Sequence, residues 1–486
     1  MIKRSLVKLP PFAIILILIT AVFSPFFHFE YATDTYTIKT VGMQLFGDSM
    51  FQNGRIISAE FFYGFAKMNA SVEAFYYTSF VLSLLFSALA VWAMYQILSS
   101  QFSKNKSLLF AFFTVFNPLV IEYFLFIEKG FFMFALAMSM LAAYFYLLFL
   151  KGKRLALILA YPCIILSSFT YQTLPGAFVP VAVLLITLYS KQIKDWIINT
   201  LVAVSVYGGG TLGNFLFLRI FSSSVRVASK PDIGNFFYAL SLLGTGALIL
   251  IGIAIMAILL ALSYWRSDKT PACIRSTFLK SLFILCGTVA VTFFPFIFIA
   301  RNEIWLPFRI GYPLGMLFGL YPIFFSTVFP KEKKSVPQQS QSRQANKALI
   351  LACTLSLILC LFFEIMVLGR LQNNAADESL CMKIGEAITQ YEKTSGNEVL
   401  YVSISHDARI TKTNPWVLSI GDSNVRAFSK EWSDVAHLNV LLNKSYQKVA
   451  VSAEVYQTYF AEKNWNTFSA REQLIFEENT LHICVY

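Results

Sequence analysis

Most of this chain alternates between long apolar runs and short polar breaks. The apolar runs last about 17–25 residues, the length that crosses a ~30 Å hydrocarbon core as a helix. They predict eleven helical spans, near 11–29, 74–98, 107–125, 131–150, 155–171, 174–190, 196–220, 235–265, 279–300, 309–329 and 347–368. The widest break in the first part, 30–73, holds two stretches of mixed character, "TYTIKTVGMQLF" and "IISAEFFYGFAKM". Both have the pattern of amphipathic helices lying on a membrane surface and folding back over the spans.

After Arg370 the pattern changes. "CMKIGEAITQYEKTS" has helical periodicity, whereas "EVLYVSI", "KVAVSA" and "LHICVY" read as short strands between polar turns. Two domains are therefore expected: a membrane domain over 1–369, with its first outer loop at 30–73, and a small α/β domain over 370–486. The segment 330-PKEKKSVPQQSQSRQANK-347 between them reads as a polar linker.

Composition agrees with a polytopic α-helical membrane protein. The chain is 57% hydrophobic and 14% charged, with 49 Phe, against about 25% charged in a typical soluble domain. The first apolar run is too long for a cleavable signal peptide and lacks a small-residue cleavage site. Lys and Arg set the orientation. With the N-terminus in the cytoplasm, nineteen basic residues of the first 369 fall inside and nine outside, as the positive-inside rule requires. The net charge of +12 is then a feature of topology, and nucleic-acid binding is not expected. An odd number of spans puts the C-terminal domain outside. There Cys381 and Cys484 could pair in an oxidising compartment or remain buried thiols.

No phosphate-binding loop, GxGxxG, CxxC pair or HExxH occurs, and the four histidines are scattered. Neither an ATP-driven pump nor a metal site is predicted, and metal dependence stays open. The chemistry must come from polar residues on the outer breaks. In 29-FEYATDTYTIKT-40, Glu30 and Asp34 sit where the first span would surface. Arg55 follows in "NGR". The second outer turn supplies Glu122 and Glu128, the third Tyr171 and Gln172, and the fifth has Arg301 and Arg309 flanking an aromatic turn. Intramembrane acids are costly unless they face a polar cavity. Arginines beside such a cavity suit phosphate oxygens.

The acidic "DTY" after the first span, the "GR" some twenty residues on and the mid-chain "YQ" turn resemble the type II bacterial glucosyltransferases. These are Gtr-type membrane enzymes that decorate surface polysaccharides. The stretch 370-RLQNNAADESLCMKIGEAI-388 is similar to that family's transition into its external region. Where the family pattern has a double acid, this chain has "TDTY", with Glu30 the candidate for the second carboxylate.

The resemblance implies a GT-C architecture in the bacterial cytoplasmic membrane, with the site on its outer face. It implies a polyprenyl-phosphate sugar as donor, undecaprenyl-phosphate glucose first among them. The acceptor would be a surface or lipid-linked glycan, the displacement inverting, and no cofactor is needed. In that reaction Asp34 and Glu30 would be catalytic, with Asp34 the base. Arg309, Arg301 and Arg55 would hold the donor phosphate. Tyr171, Gln172, Glu122 and Glu128 would contact sugar or acceptor. An O-antigen polymerase or ligase shares the lipid-linked donor but usually carries its site on a large late loop. A lipid-linked glycan flippase would place its charges along a two-sided path within the spans.

Overall fold

The computed structural model describes residues 10–222, 230–242, 271–304, 306–328, 338–406, 425–461, 463 and 468–485. Helix α1 (Pro11–Val22) begins with Pro at its first position, where a missing N–H costs nothing. The outer break folds as α2 (Thr33–Gln52) and α3 (Ile56–Lys67), the two amphipathic stretches expected from periodicity. Gly42 interrupts α2 with φ 86°, a left-handed conformation that side chains other than Gly rarely adopt. The α2–α3 turn depends on Gly54, whose φ is 73° and whose added Cβ would lie 2.9 Å from Leu218.

Helices α4 (Val72–Leu98), α5 (Lys104–Val115), α6 (Lys129–Leu150), α7 (Ala156–Thr170), α8 (Phe178–Tyr189) and α9 (Ile193–Phe221) follow. Next come α10 (Ile233–Ser241), α11 (Pro271–Phe293) and α12 (Leu317–Val328). Six helical stretches are long and apolar enough to cross a membrane: α4, α6, α9, Arg275–Phe298, Arg309–Val328 and Leu357–Ser395. Helix α9 turns Leu201, Val204 and Ile220 outward, each at least 60% exposed, while Ala203, Val206 and Asn214 face the core. Such apolar outward faces are unfavourable in water and favourable in lipid. The chain is accordingly a mostly helical protein of the membrane-embedded kind.

Not every expected span is one continuous helix. The runs at 11–29, 107–125, 155–171 and 174–190 contain helices of only 12–15 residues, about 18–22 Å long. Within 107–125 the break falls at Asn117-Pro118, where Asn117 Oδ1 accepts a bond from the Leu119 N–H at 3.0 Å. A residue before Pro is pushed out of the helical region. Close neighbours pack here: a Cβ on Gly315 would lie 2.7 Å from the Asn117 Cγ at the break, and one on Gly319 2.6 Å from the Thr114 Cα in α5. Gly315 and Gly319 form a small-xxx-small pair of the kind that lets membrane helices approach closely. Of the span expected at 235–265, only the part up to 242 lies within the described residues.

The linker expected over 330–347 is different in the structure: 330–337 lies outside the described residues, and from Gln338 the chain is helical. Helix α13 (Gln338–Ser395) runs 58 residues. It leads to strands β1 (Tyr401–His406), β2 (Gln447–Lys448), β3 (Leu474–Glu477) and β4 (Thr480–Val485), with helix α14 (Asp434–Leu442) between β1 and β2. The sheet order is β2-β1-β4-β3. Strand β1 pairs in parallel with β2 and β4, and β3–β4 is an antiparallel hairpin. Val402, Leu438, Leu481 and Ile483 join Cys381 and Ile384 of α13 in a core separate from that of the apolar helices. Cys381 and Cys484 are not disulfide-bonded: Cys381 lies 3.7 Å from His437 Nδ1, whereas Cys484 packs with Val455 and Phe460.

Candidate functional site

The polar residues of the outer turns meet because helix ends meet. Helix α7 stops at Thr170, and Tyr171 leaves it in an extended conformation. Ser58 on α3 donates to the Thr170 carbonyl at 3.1 Å. Asn214 on α9, itself buried, donates to the carbonyls of Gly54 at 2.8 Å and Ser168 at 3.2 Å. These bonds satisfy backbone groups that a helix end and a tight turn would otherwise leave unpaired in an apolar setting. They also fix the "NGR" turn against the "YQ" turn.

Between these turns lies a cavity of about 220 Å³. Arg55, Tyr171, Gln172, Glu303 and Arg309 are among the polar residues that line it, and Phe215, Leu218, Phe296 and Phe298 among the apolar ones. Tyr171 stands between the two arginines. Its hydroxyl accepts from Arg309 Nε at 3.0 Å, and the Arg55 guanidinium lies 4.7 Å from its ring centre. Arg55 Nε donates to Gln172 Oε1 at 3.4 Å, and the Gln172 amide donates to the Asn53 carbonyl.

Glu122 lies behind this wall rather than in it. Fully buried, it accepts from Arg309 NH1 at 2.7 Å and from the Arg309 backbone N–H. Tyr123 donates to the Arg309 carbonyl at 2.6 Å. The Arg309 guanidinium is 4.6 Å from the Phe126 ring centre. Sequence reading placed Glu122 against sugar or acceptor; the structure puts it in an ion pair that orients an arginine.

Glu128 is 4% exposed, and its Oε2 has no hydrogen-bond partner among the described residues. Burial, reinforced by the nearby charge of Asp34, pushes its carboxyl up to about 7, while Arg55 and Arg309 pull the other way. Glu128 is therefore the group within electrostatic reach of both the cavity arginines and Asp34. Asp34 is half-buried in the first turn of α2 and is not among the residues that line the cavity.

Two candidates stand apart. Glu30 is 3% exposed and lies 3.9 Å from Arg370 of α13. Burial raises its pKa, and Arg370 and Lys129 oppose that rise. Arg301 is exposed and sits 4.9 Å from the Tyr238 ring centre, outside the cavity wall. Sequence reading missed the carbonyl-binding role of Asn214, since an Asn inside an apolar helix gives no sign of which turn it will reach. No group of three or more His, Cys, Asp or Glu side chains able to hold a metal ion occurs among the described residues.

The raised pKa of Glu128 gives a pH signature. Between its ordinary 4.5 and about 7, the folded protein holds a proton that the unfolded chain has released. This contribution to stability is complete below 4.5 and is lost as pH rises through 7. Glu128→Gln removes it. The melting temperature of the variant in detergent, minus that of the wild type, should grow between pH 5 and 7.5. A difference that stays constant over that range would place the Glu128 titration elsewhere.

No protein-family model, no curated protein and no solved structure matches the chain.

Proposed function

We propose that this chain is a membrane glycosyltransferase that moves glucose, or another hexose, from a polyprenyl-phosphate carrier to a surface polysaccharide or lipid-linked glycan. The observation that supports it is the pair of guanidiniums, Arg55 and Arg309, both in contact with Tyr171 in a cavity that Phe215, Leu218, Phe296 and Phe298 also line. A phosphate on a long hydrocarbon chain matches a lining that offers both kinds of residue. Guanidinium binds phosphate oxygens with directional, charge-assisted hydrogen bonds, and the Phe-rich part of the lining accepts the lipid.

In this reading the acceptor hydroxyl attacks the anomeric carbon. The bond between that carbon and the phosphate oxygen breaks, and polyprenyl phosphate leaves with the electron pair. The leaving group is stable as an anion, so it needs cationic stabilisation more than a proton. The acceptor proton goes to a carboxylate, Asp34, with Glu128 beside it to share the charge. Burial and the Asp34 charge push the neighbouring Glu128 carboxyl up to about 7, a range in which a carboxyl can take up and return a proton. Attack from the side opposite the phosphate inverts the sugar.

With eleven spans and the N-terminus in the cytoplasm, the cavity belongs to the outer face of a bacterial cytoplasmic membrane. Residues 370–486 then lie on the same side. The short helices α1, α5, α7 and α8 cross together with the irregular segments that extend them.

The test supplies membranes containing the protein with radiolabelled undecaprenyl-phosphate glucose and a panel of lipid-linked surface glycans. Label is expected to move to a glycan. Label that stays on the donor across the whole panel overturns hexosyl transfer from this carrier.

A further inference from the structure

The proposed base lies on a short segment that the C-terminal part of the chain holds from two sides. Gly42 separates the first nine residues of α2, Thr33–Val41, from the rest of the helix. One face of this segment rests on α14 and the residues just before it. Thr37 Oγ1 donates to the Trp432 carbonyl at 2.9 Å, and the Thr40 hydroxyl, which donates within its helix to the Tyr36 carbonyl at 2.9 Å, also reaches the Ala436 carbonyl at 3.3 Å. The Tyr36 and His437 rings meet edge to face at 4.4 Å, and both residues are buried. Just ahead of the segment, Glu30 faces Arg370 of α13 at 3.9 Å. Asp34 lies between these two attachments.

The holding side is itself braced. Arg426 Nε meets Asp377 Oδ1 of α13 at 2.5 Å, and the Ala427 N–H donates to Asp377 Oδ2 at 2.6 Å. At the start of α14, Lys448 Nζ meets Asp434 at 2.8 Å. The carbonyls that receive Thr37 and Thr40 are thus tied to α13 and to the sheet. Thr40 is three residues from Thr37 and four from Tyr36, spacings that put it on the same side of the helix as each of them.

We propose that the C-terminal unit is a clamp on the Asp34 turn, with Thr37, Thr40 and His437 as positioning residues that set where the carboxylate stands. The proposal rests on the reading of Asp34 as the base. The clamp acts through placement of the base and touches neither donor nor acceptor. Loosening it lowers turnover and leaves donor affinity as it was, because misplacement of a reacting group acts on the chemical step.

The experiment uses the full-length protein and compares Thr37→Val/Thr40→Val with Thr37→Ser/Thr40→Ser, which keeps both hydroxyls. The valine pair is expected to lower kcat about tenfold, in line with loss of the Thr37 hydrogen bond and the weaker, shared contact of Thr40. KM for the polyprenyl-phosphate donor should be unchanged, and the serine pair should restore kcat. A second measurement is independent of activity. In an Asp34→Cys background, the valine pair should speed modification of the thiol by a small maleimide, and the serine pair should not. Unchanged maleimide rates in the valine background overturn the clamp, as does a loss confined to KM. If the wild type transfers no hexose, the functional reading fails by itself, and the labelling rates alone decide whether the clamp exists.

Discussion

Asp34→Asn is expected to insert and fold as the wild type does and to lower hexosyl transfer by roughly 10²–10⁴-fold, the usual contribution of a positioned general base. The substitution keeps the size and the hydrogen-bonding shape of the side chain and removes only its ability to take a proton. Asp34 is half-buried in a first helical turn, where a carboxylate gains a little from the helix dipole, so the cost to folding is small. A second effect separates a base from a bystander. Asp34 is part of what raises Glu128, so its neutralisation lets the Glu128 carboxyl fall from about 7. The acid limb of the residual activity should then move to lower pH. Labelled transfer from undecaprenyl-phosphate glucose, measured across pH, reads both effects. Wild-type turnover by the variant would remove Asp34 from the mechanism.

Glu122→Ala is expected to damage stability more than any other change at the site. The carboxylate is wholly buried and accepts two bonds from Arg309, whose own side chain is largely buried. Removing one partner of such a pair leaves a charge in a low-dielectric setting, at a cost of about 3–5 kcal/mol. Arg309 would also lose the contact that aims it beside Tyr171, so transfer should fall with stability. Glu122→Gln keeps an acceptor for the guanidinium and should lose less. The melting temperatures of the two variants in detergent check this. Equal, wild-type-like melting would show that the ion pair does not hold the turn.

Much of the fold was legible because it follows from burial alone. The long helices α4, α6 and α9 appear as apolar runs. Helices α2 and α3 appear as mixed periodic stretches, and β4 as "LHICVY". What stayed hidden follows from local breaks and distant partners. Asn117-Pro118 carried a readable stop signal that the apolar run overrode. The hairpin strand at Leu474–Glu477 was likewise present as "LIFEENTLHICV", two apolar stretches around a polar turn. Of the "KVAVSA" stretch only Lys448 lies in a strand, the two-residue Gln447–Lys448, and the chain enters a short helix at Ala453.

For the candidate site, sequence reading selected Arg55, Tyr171, Gln172 and Arg309 one turn at a time, and the structure lines a single cavity with all four. It could not tell that Glu122 would serve Arg309 or that Glu30 would meet Arg370, more than three hundred residues away. Ion-pair partners at that separation leave no local pattern. Glu128 drew notice only as an acid on a turn; its value lies in neighbours that the sequence does not reveal.

Helix α13 passes from the apolar helices to the sheet as one uninterrupted rod of 58 residues, about 87 Å at the usual rise per residue. Its lower part lies in an apolar stretch, and its upper part carries Arg370, Asp377 and Cys381. A rod of this kind would act as a lever if its apolar part sits in a bilayer. Helices answer a change in hydrocarbon thickness by tilting, and a tilt of α13 would carry the sheet with it.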